Sequence, residues 1–354
     1  MERKGPYVRN MQRCYDNTGY YFLHTSSISA KLFLDWVRGD MKKNNLFHRF
    51  RYWLDKRMAK GMVTNVCDLY QYDTICCINK FIKRYIMYDA KNSQIKFYDD
   101  TINYVSFGYG NKNLLLIPGL NTERIKGKAL QLAFYYRNFL KDYKVFIFDH
   151  KEHLNENYEI SDMVEEIAYC IKKLNLDEVD VVGVSQGGMI AQLLAINYPD
   201  IVKKLVLVAT TSRNNPTTNK VANRWIVLTE NGELQELQKN MLETVYSKKY
   251  IAKNKWLSIL VQILFKPKSD QLNRFIILAR SCLKFDVFDK LDKIQSKTLV
   301  IGAALDQVIP VEFSKELAEK INCQKIIFEN SGHAVHQEVS DFNRTVLSFL
   351  ISSN

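Results

Sequence analysis

Ser185 stands at the centre of Gly183-Val184-Ser185-Gln186-Gly187, a G-x-S-x-G pattern whose chemistry is attack by a serine hydroxyl. The apolar run "VDVVGV" leads into it, and "QGGMIAQLLAINYP" leads out as a helical stretch stopped by Pro199. A serine at the tip of so sharp a strand-to-helix turn takes strained backbone angles. The positions two before and two after must then carry no bulk, as Gly183 and Gly187 do not. Gly188, Ala191 and Ala195 keep the helix side that faces the sheet small. The rival is a dinucleotide loop, since Gly183, Ser185 and Gly188 imitate G-x-G-x-x-G. Its middle glycine is replaced, however, and the acid expected about 20 residues on is met only by Asp200 at a helix end. The pattern points to a nucleophile that requires no organic cofactor and no metal.

A serine hydroxyl is a poor nucleophile until a base takes its proton, and the base needs an acid behind it. Of six histidines, two fall in "KIIFENSGHAVHQE". His333 follows the last strand candidate by a small Ser-Gly loop and is preferred to His336, which belongs to the start of the final helix. The acid should end the preceding strand, where "KTLVIGAALDQVIP" supplies Asp306. Asp286 and Asp289 precede that strand and suit capping or a helix surface. A developing oxyanion needs two donors: the backbone N–H of Gln186, and a second from the loop "LLLIPGLNTE", where Pro118-Gly119 turn the chain and present Leu120. Ser185, Asp306 and His333 thus each close a different strand.

Those strands dictate the architecture. "QIKFYDD" and "INYVSFGYG" read as a hairpin with Thr101 at its turn. Six later runs, beginning "NLLLIPGL" and ending "QKIIFENSGH", are apolar almost throughout, as strands of a parallel sheet buried on both faces are. Helices are expected over 159–174, 186–197 and 312–321, giving a doubly wound α/β sheet with an antiparallel start. Residues 93–212 and 291–354 form its two parts. Between them, 213–290 reads as a helical cap, with Ile251, Trp256, Leu257, Leu260, Val261, Leu264 and Phe265 at helical spacing. Residues 1–92 read as a basic helical extension whose Leu46, Phe47, Phe50, Trp53, Leu54 and Met58 share one face.

Composition narrows the setting. The 354 residues are 47% hydrophobic and 25% charged, an ordinary globular balance. No apolar run approaches the ~18 residues of a membrane span, and "MERKGPYVRN" has no signal-peptide character, so a cytoplasmic protein is expected. Seven scattered cysteines, with only Cys76 and Cys77 adjacent, suit a reducing compartment better than a disulfide framework. Of the net charge of +12, nine charges belong to residues 1–92. No nucleic-acid partner is expected from this. A basic face there could touch an anionic membrane, but packing against the main domain explains the same stripe better.

Taken together, "GVSQGGMIAQLLAINYPDIVKKLVLVAT", "GAALDQVIP" and "SGHAVHQE" resemble the α/β-hydrolase family, in its capped esterase and lactonase-like branch, over about residues 94–350. The resemblance implies a mostly parallel eight-stranded sheet, Ser185 as nucleophile, Asp306 as acid, His333 as base, and Leu120 and Gln186 as oxyanion hole. Two stretches depart from the family pattern: Pro118-Gly119 stands where His-Gly is usual, and "DHKEHLNEN" lacks the usual glycines. The expected activity is hydrolysis of a carboxyl ester, lactone or thioester of a small, partly apolar acyl substrate. Acyl transfer or carbon–carbon hydrolysis by the same triad is the alternative, and a non-catalytic binding protein on this fold is the alternative of another class.

Overall fold

The structure, a computed structural model, describes residues 88–254 and 269–352. The amphipathic stripe of the first 87 residues and Trp256 to Phe265 of the insertion lie outside the described residues.

The sheet begins with a hairpin, β1 (Lys91–Phe97) and β2 (Asp100–Phe107). Apolar alternation sets its register, pairing Ile95 with Ile102 and Phe97 with Asp100. The turn is therefore Tyr98-Asp99, with Tyr98 in the left-handed region at φ 51°. Thr101, expected at the turn, lies inside β2 opposite Lys96. Its side chain belongs to the ladder because the facing Ile95–Ile102 pair leaves the reversal two residues earlier.

The six apolar runs become β3 (Lys112–Ile117), β4 (Tyr143–Phe148), β5 (Val179–Val184), β6 (Val202–Val208), β7 (Lys297–Ala303) and β8 (Gln324–Phe328). The spatial order is β1-β2-β4-β3-β5-β6-β7-β8. β2 meets β4 antiparallel, and every pairing among β3 to β8 is parallel. The result is an eight-stranded, mostly parallel sheet of the α/β class.

Alternate strand residues feed two cores. Leu115, Ile117 and Val181 face α2 (Ile160–Lys173) and α3 (Gln186–Asn197), while Leu114, Leu116 and Val182 face α1 (Ala129–Tyr135) and the C-terminal helix. The expected helix at 186–197 is α3 itself, buried along nearly its whole length. The expected helix at 159–174 is α2, with Glu159 and Leu174 as its caps.

After β6 the chain leaves the sheet for α4 (Pro216–Glu230), α5 (Leu234–Val245), α6 (Lys248–Lys253) and α7 (Ser269–Leu283), then returns through β7. Asn215 starts α4 by accepting the Thr218 N–H ahead of Pro216, which lacks an N–H to lose. The chain ends with α8 (Val311–Ile321), the single turn α9 (Val335–Glu338) and α10 (Phe342–Ile351). Among the described residues no helix is long and apolar enough to cross a membrane.

Candidate active site

The site gathers where β3, β5 and β7 end. Ser185 caps α3 at φ 54° and ψ −120°, a conformation that L-residues rarely adopt and that neighbouring bonds must hold. Its N–H donates to Val208 O (2.9 Å), and its carbonyl accepts from Thr210 Oγ1 (2.8 Å) and the Gly188 N–H (2.8 Å). The two elbow glycines are sterically required. A Cβ on Gly183 would fall 2.4 Å from Gly187 O, and one on Gly187 would fall 2.1 Å from Ile117 O.

Asp306 follows β7, and His333 sits in the loop after β8; both are buried, at 8% and 7% exposure. Asp306 Oδ1 accepts the N–H groups of Val308 (2.8 Å) and Ile309 (2.9 Å), which fixes its carboxylate plane. The other oxygen, Oδ2, accepts from His333 Nδ1–H at 2.7 Å. That bond places the neutral ring's lone pair on Nε2, where it accepts from Ser185 Oγ–H at 2.9 Å. Three residues from three strand ends are thus linked by two hydrogen bonds, an arrangement able to pass the serine proton to the imidazole.

The turn after β3 closes on the same point. A Cβ on Gly119 would lie 3.1 Å from Ser185 Cβ, so the chain passes as near the nucleophile as a glycine allows. Neither the Leu120 N–H nor the Gln186 N–H is donated to another group among the described residues. The competing residues are placed elsewhere. Asp286 is exposed and accepts the Phe288 N–H, Asp289 is exposed, and His336 lies in α9 rather than in the final helix.

Several polar side chains next to the turn make contacts that no sequence motif announces. The side chain of Gln186 donates to Leu278 O (2.7 Å) and reaches Ser281 Oγ (3.1 Å), so the elbow grips α7. From the same helix, Arg274 donates to the carbonyls of Lys151 (2.7 Å) and His150 (3.0 Å). Arg124 donates to Asp149 (2.9 Å) and to Glu152. These two guanidinium groups hold the glycine-poor loop after β4 by its own carbonyls and carboxylates. Of the residues in this network only Asp149 had a sequence signal, since it ends a strand as Asp306 does. Nothing in the spacing of Arg274 marks it.

A cavity of about 40 Å³ lies among Gly119, Arg124, Asp149, Glu166, Gln186 and Arg274. Burial is the main cause of two opposite shifts beside it. The Glu166 carboxyl, 3% exposed, is pushed up to about 7, and the His150 imidazole is pushed down to about 4, with Arg274 adding to the effect. Among the described residues no group of three or more His, Cys, Asp or Glu is placed to hold a metal ion. Burial likewise raises the thiols of Cys170 and Cys282 to about 12, so both behave as apolar side chains.

Glu166 has a consequence for stability. Below the ordinary carboxyl value near 4.5 both folded and unfolded chains hold the proton. Between there and about 7 the unfolded chain releases it first, so stability falls as pH rises through that window. Glu166→Gln, which mimics the protonated carboxyl, is expected to match the wild type at pH 4.5. At pH 8 it should exceed it by on the order of 3 kcal/mol in urea unfolding.

The model of the alpha/beta hydrolase fold family matches residues 112–338. The candidate carbamate hydrolase RutD of Rhizobium rhizogenes is 26% identical over 221 residues, which are 59% of this chain and 83% of that protein. Human monoacylglycerol lipase ABHD6 is 26% identical over 185 residues, 49% of this chain and 55% of that one. Among solved structures, an alpha/beta hydrolase enzyme from a Medee basin deep-sea metagenome library superimposes with a TM-score of 0.66 at 23% identity. It covers 74% of this chain and 98% of its own.

Proposed function

The chain belongs to the α/β-hydrolase family of enzymes, and we propose that it is a serine hydrolase that cleaves a carboxyl ester, lactone or thioester through an acyl-enzyme on Ser185. One observation carries this reading: the continuous hydrogen-bonded line from Asp306 through His333 to Ser185. Ser185 Oγ attacks the carbonyl carbon as His333 Nε2 takes its proton, and Asp306 stabilises the imidazolium that forms. The carbonyl oxygen gains the displaced electron pair and is received by the Leu120 and Gln186 N–H groups, both without another partner among the described residues. Collapse expels the alcohol or thiol, which takes the proton from His333. Water, deprotonated by the same nitrogen, then releases the acid and restores Ser185.

The helices between β6 and β7 act in this reading as a cap. Gln186 and Arg274 support that role, because they tie α7 to the elbow and to the loop after β4. The substrate is a small acyl compound whose polar part occupies the space beside Gly119 and Arg274.

The test is a fluorophosphonate probe, which reacts only with an activated serine. Stoichiometric labelling at Ser185 is expected, abolished in His333→Ala, with mass spectrometry of the labelled peptide as the readout. Folded protein that takes no label at Ser185 would rule the reading out.

A further inference from the structure

His333 lies in a loop that is held on both sides. Ser331 O accepts the Leu305 N–H (3.1 Å), which fastens the loop to the turn that carries Asp306. On the other side the loop meets the joint between α5 and α6, residues 245–247. The Ala334 N–H donates to Val245 O (3.0 Å), and a Cβ on Gly332 would fall 2.8 Å from Ser247 N and 2.9 Å from Val245 O. The two residues that flank the base in the chain therefore both rest on the insertion between β6 and β7, with no space left for a side chain on Gly332.

Glu338 joins these two segments. Its Oε1 accepts the N–H groups of Ser247 (2.8 Å) and Gly332 (3.2 Å), and its Oε2 accepts from Ser247 Oγ–H (2.6 Å). One carboxylate thus takes three donors, two from the joint and one from the residue before the base. Hydrogen bonds to a carboxylate are stronger than those between neutral groups. Ser247 is 4% exposed, so its donors have little water to turn to if the carboxylate is removed. Tyr246 O–H adds a bond to Gln337 Oε1 (2.7 Å), beside Glu338 in the chain. Glu338 itself bonds to no side chain of the triad among the described residues, so its effect on the reaction passes through the position of the loop.

We propose that Glu338 is a positioning residue for the triad: it clamps the α5–α6 joint to the His333 loop, so that the insertion between β6 and β7 sets the reach of the base to Ser185. The kinetic part of this rests on the serine-hydrolase reading; the positional part does not. A shift of the joint is carried to the loop through Glu338 and the Ala334–Val245 bond rather than lost in a slack connection. Without the carboxylate, the Ala334 bond alone ties the loop to the joint, and the Gly332 side is released. The 2.9 Å bond between His333 Nε2 and Ser185 Oγ is what such a release disturbs, and a misplacement of ~1 Å at a reacting pair costs on the order of 10²-fold in rate.

The experiment follows p-nitrophenyl acetate turnover, fluorophosphonate labelling of Ser185 and the ¹⁵N shifts of the His333 ring in the full chain. In Glu338→Ala, kcat and the labelling rate are expected to fall by about 10²-fold with KM nearly unchanged, and the Nε2 shift to move as its bond from Ser185 Oγ–H is lost. Glu338→Gln keeps an oxygen for the two N–H groups, and its amide can donate to Ser247 Oγ, so rates should return to within about threefold of wild type. A role in stability alone would lower the urea midpoint and leave kcat and the Nε2 shift of the folded protein in place. Gly332→Ala forces the same segments apart with Glu338 intact, and a similar loss of kcat is expected; it decides if Glu338→Ala does not fold. Wild-type protein that takes no label at Ser185 defeats the hydrolase reading, and the Nε2 shift in Glu338→Ala still tests the clamp. A folded Glu338→Ala with wild-type rates and an unmoved Nε2 shift, or a Glu338→Gln as slow as Glu338→Ala, overturns the proposal.

Discussion

Ser185→Ala is expected to lower kcat on any ester the protein hydrolyses by a factor on the order of 10⁶, while substrate binding changes little. The elbow survives the substitution. Its strained backbone is held by the Ser185 N–H on Val208 O and by the carbonyl bonds from Thr210 and Gly188, none of which uses the hydroxyl. Alanine loses only the attacking oxygen and the hydrogen bond to His333 Nε2. What remains in the proposed mechanism is the turn with the Leu120 and Gln186 N–H groups, expected to polarise a bound carbonyl and leave a residual rate of roughly 10³–10⁴ over water. Steady-state rates on a series of p-nitrophenyl esters, with circular dichroism as the check on fold, provide the measurement. A variant that retains a tenth or more of wild-type kcat would remove Ser185 from the mechanism.

Asp306→Asn should be nearly as damaging, with kcat down by about 10⁴, and for a reason specific to this geometry. The backbone N–H groups of Val308 and Ile309 both donate to Oδ1. In the asparagine variant those donors keep the amide oxygen on their side and turn the NH₂ toward His333. The imidazole must then accept at Nδ1 and carry its proton on Nε2, facing Ser185 Oγ, so the base is presented already protonated. Stability should change little, since the amide preserves shape and both backbone bonds. Kinetics together with the tautomer read from ¹⁵N shifts of the His333 ring check the prediction. A variant with wild-type kcat, or with Nε2 still unprotonated, contradicts it.

The difference between what was legible and what was not follows the range of the physics involved. The elbow could be read because its pattern is local: Gly183 is demanded by Gly187 four positions on, although Gly187 itself is demanded by the distant end of β3. The apolar runs of β3 to β8 could be read because burial on both faces leaves a composition rather than a subtle pattern. The hairpin was read two residues out, with Thr101 placed at the turn. Alternation fixed the strands there, but the reversal depended on Tyr98 adopting a positive φ that nothing in its side chain advertises.

The residues around the triad were harder to read. "DHKEHLNEN" departs from the family's glycine-bearing loop, and the sequence offers no replacement for the glycines. The replacement is Arg274, about 125 positions later, donating to the carbonyls of that loop. Gln186 gave only its backbone to the reading, yet its side chain is what fastens α7 to the elbow.

By itself the sequence determined the α/β class, the strand ends at which Ser185, Asp306 and His333 sit, and their order along the chain. Those follow from steric and hydrophobic rules acting over a few residues. Only the tertiary structure decided which nitrogen of His333 faces the serine and which arginines hold the loop after β4. It also decided that Glu166 is buried beside a small polar cavity. The His333–Ser185 and Arg274–Asp149 pairs join side chains well over 100 positions apart, and even the nearer partners, Arg124 with Asp149 and Glu166 with the Lys151 N–H, meet only through folding, where burial and partner fix protonation and orientation. No local pattern records such meetings.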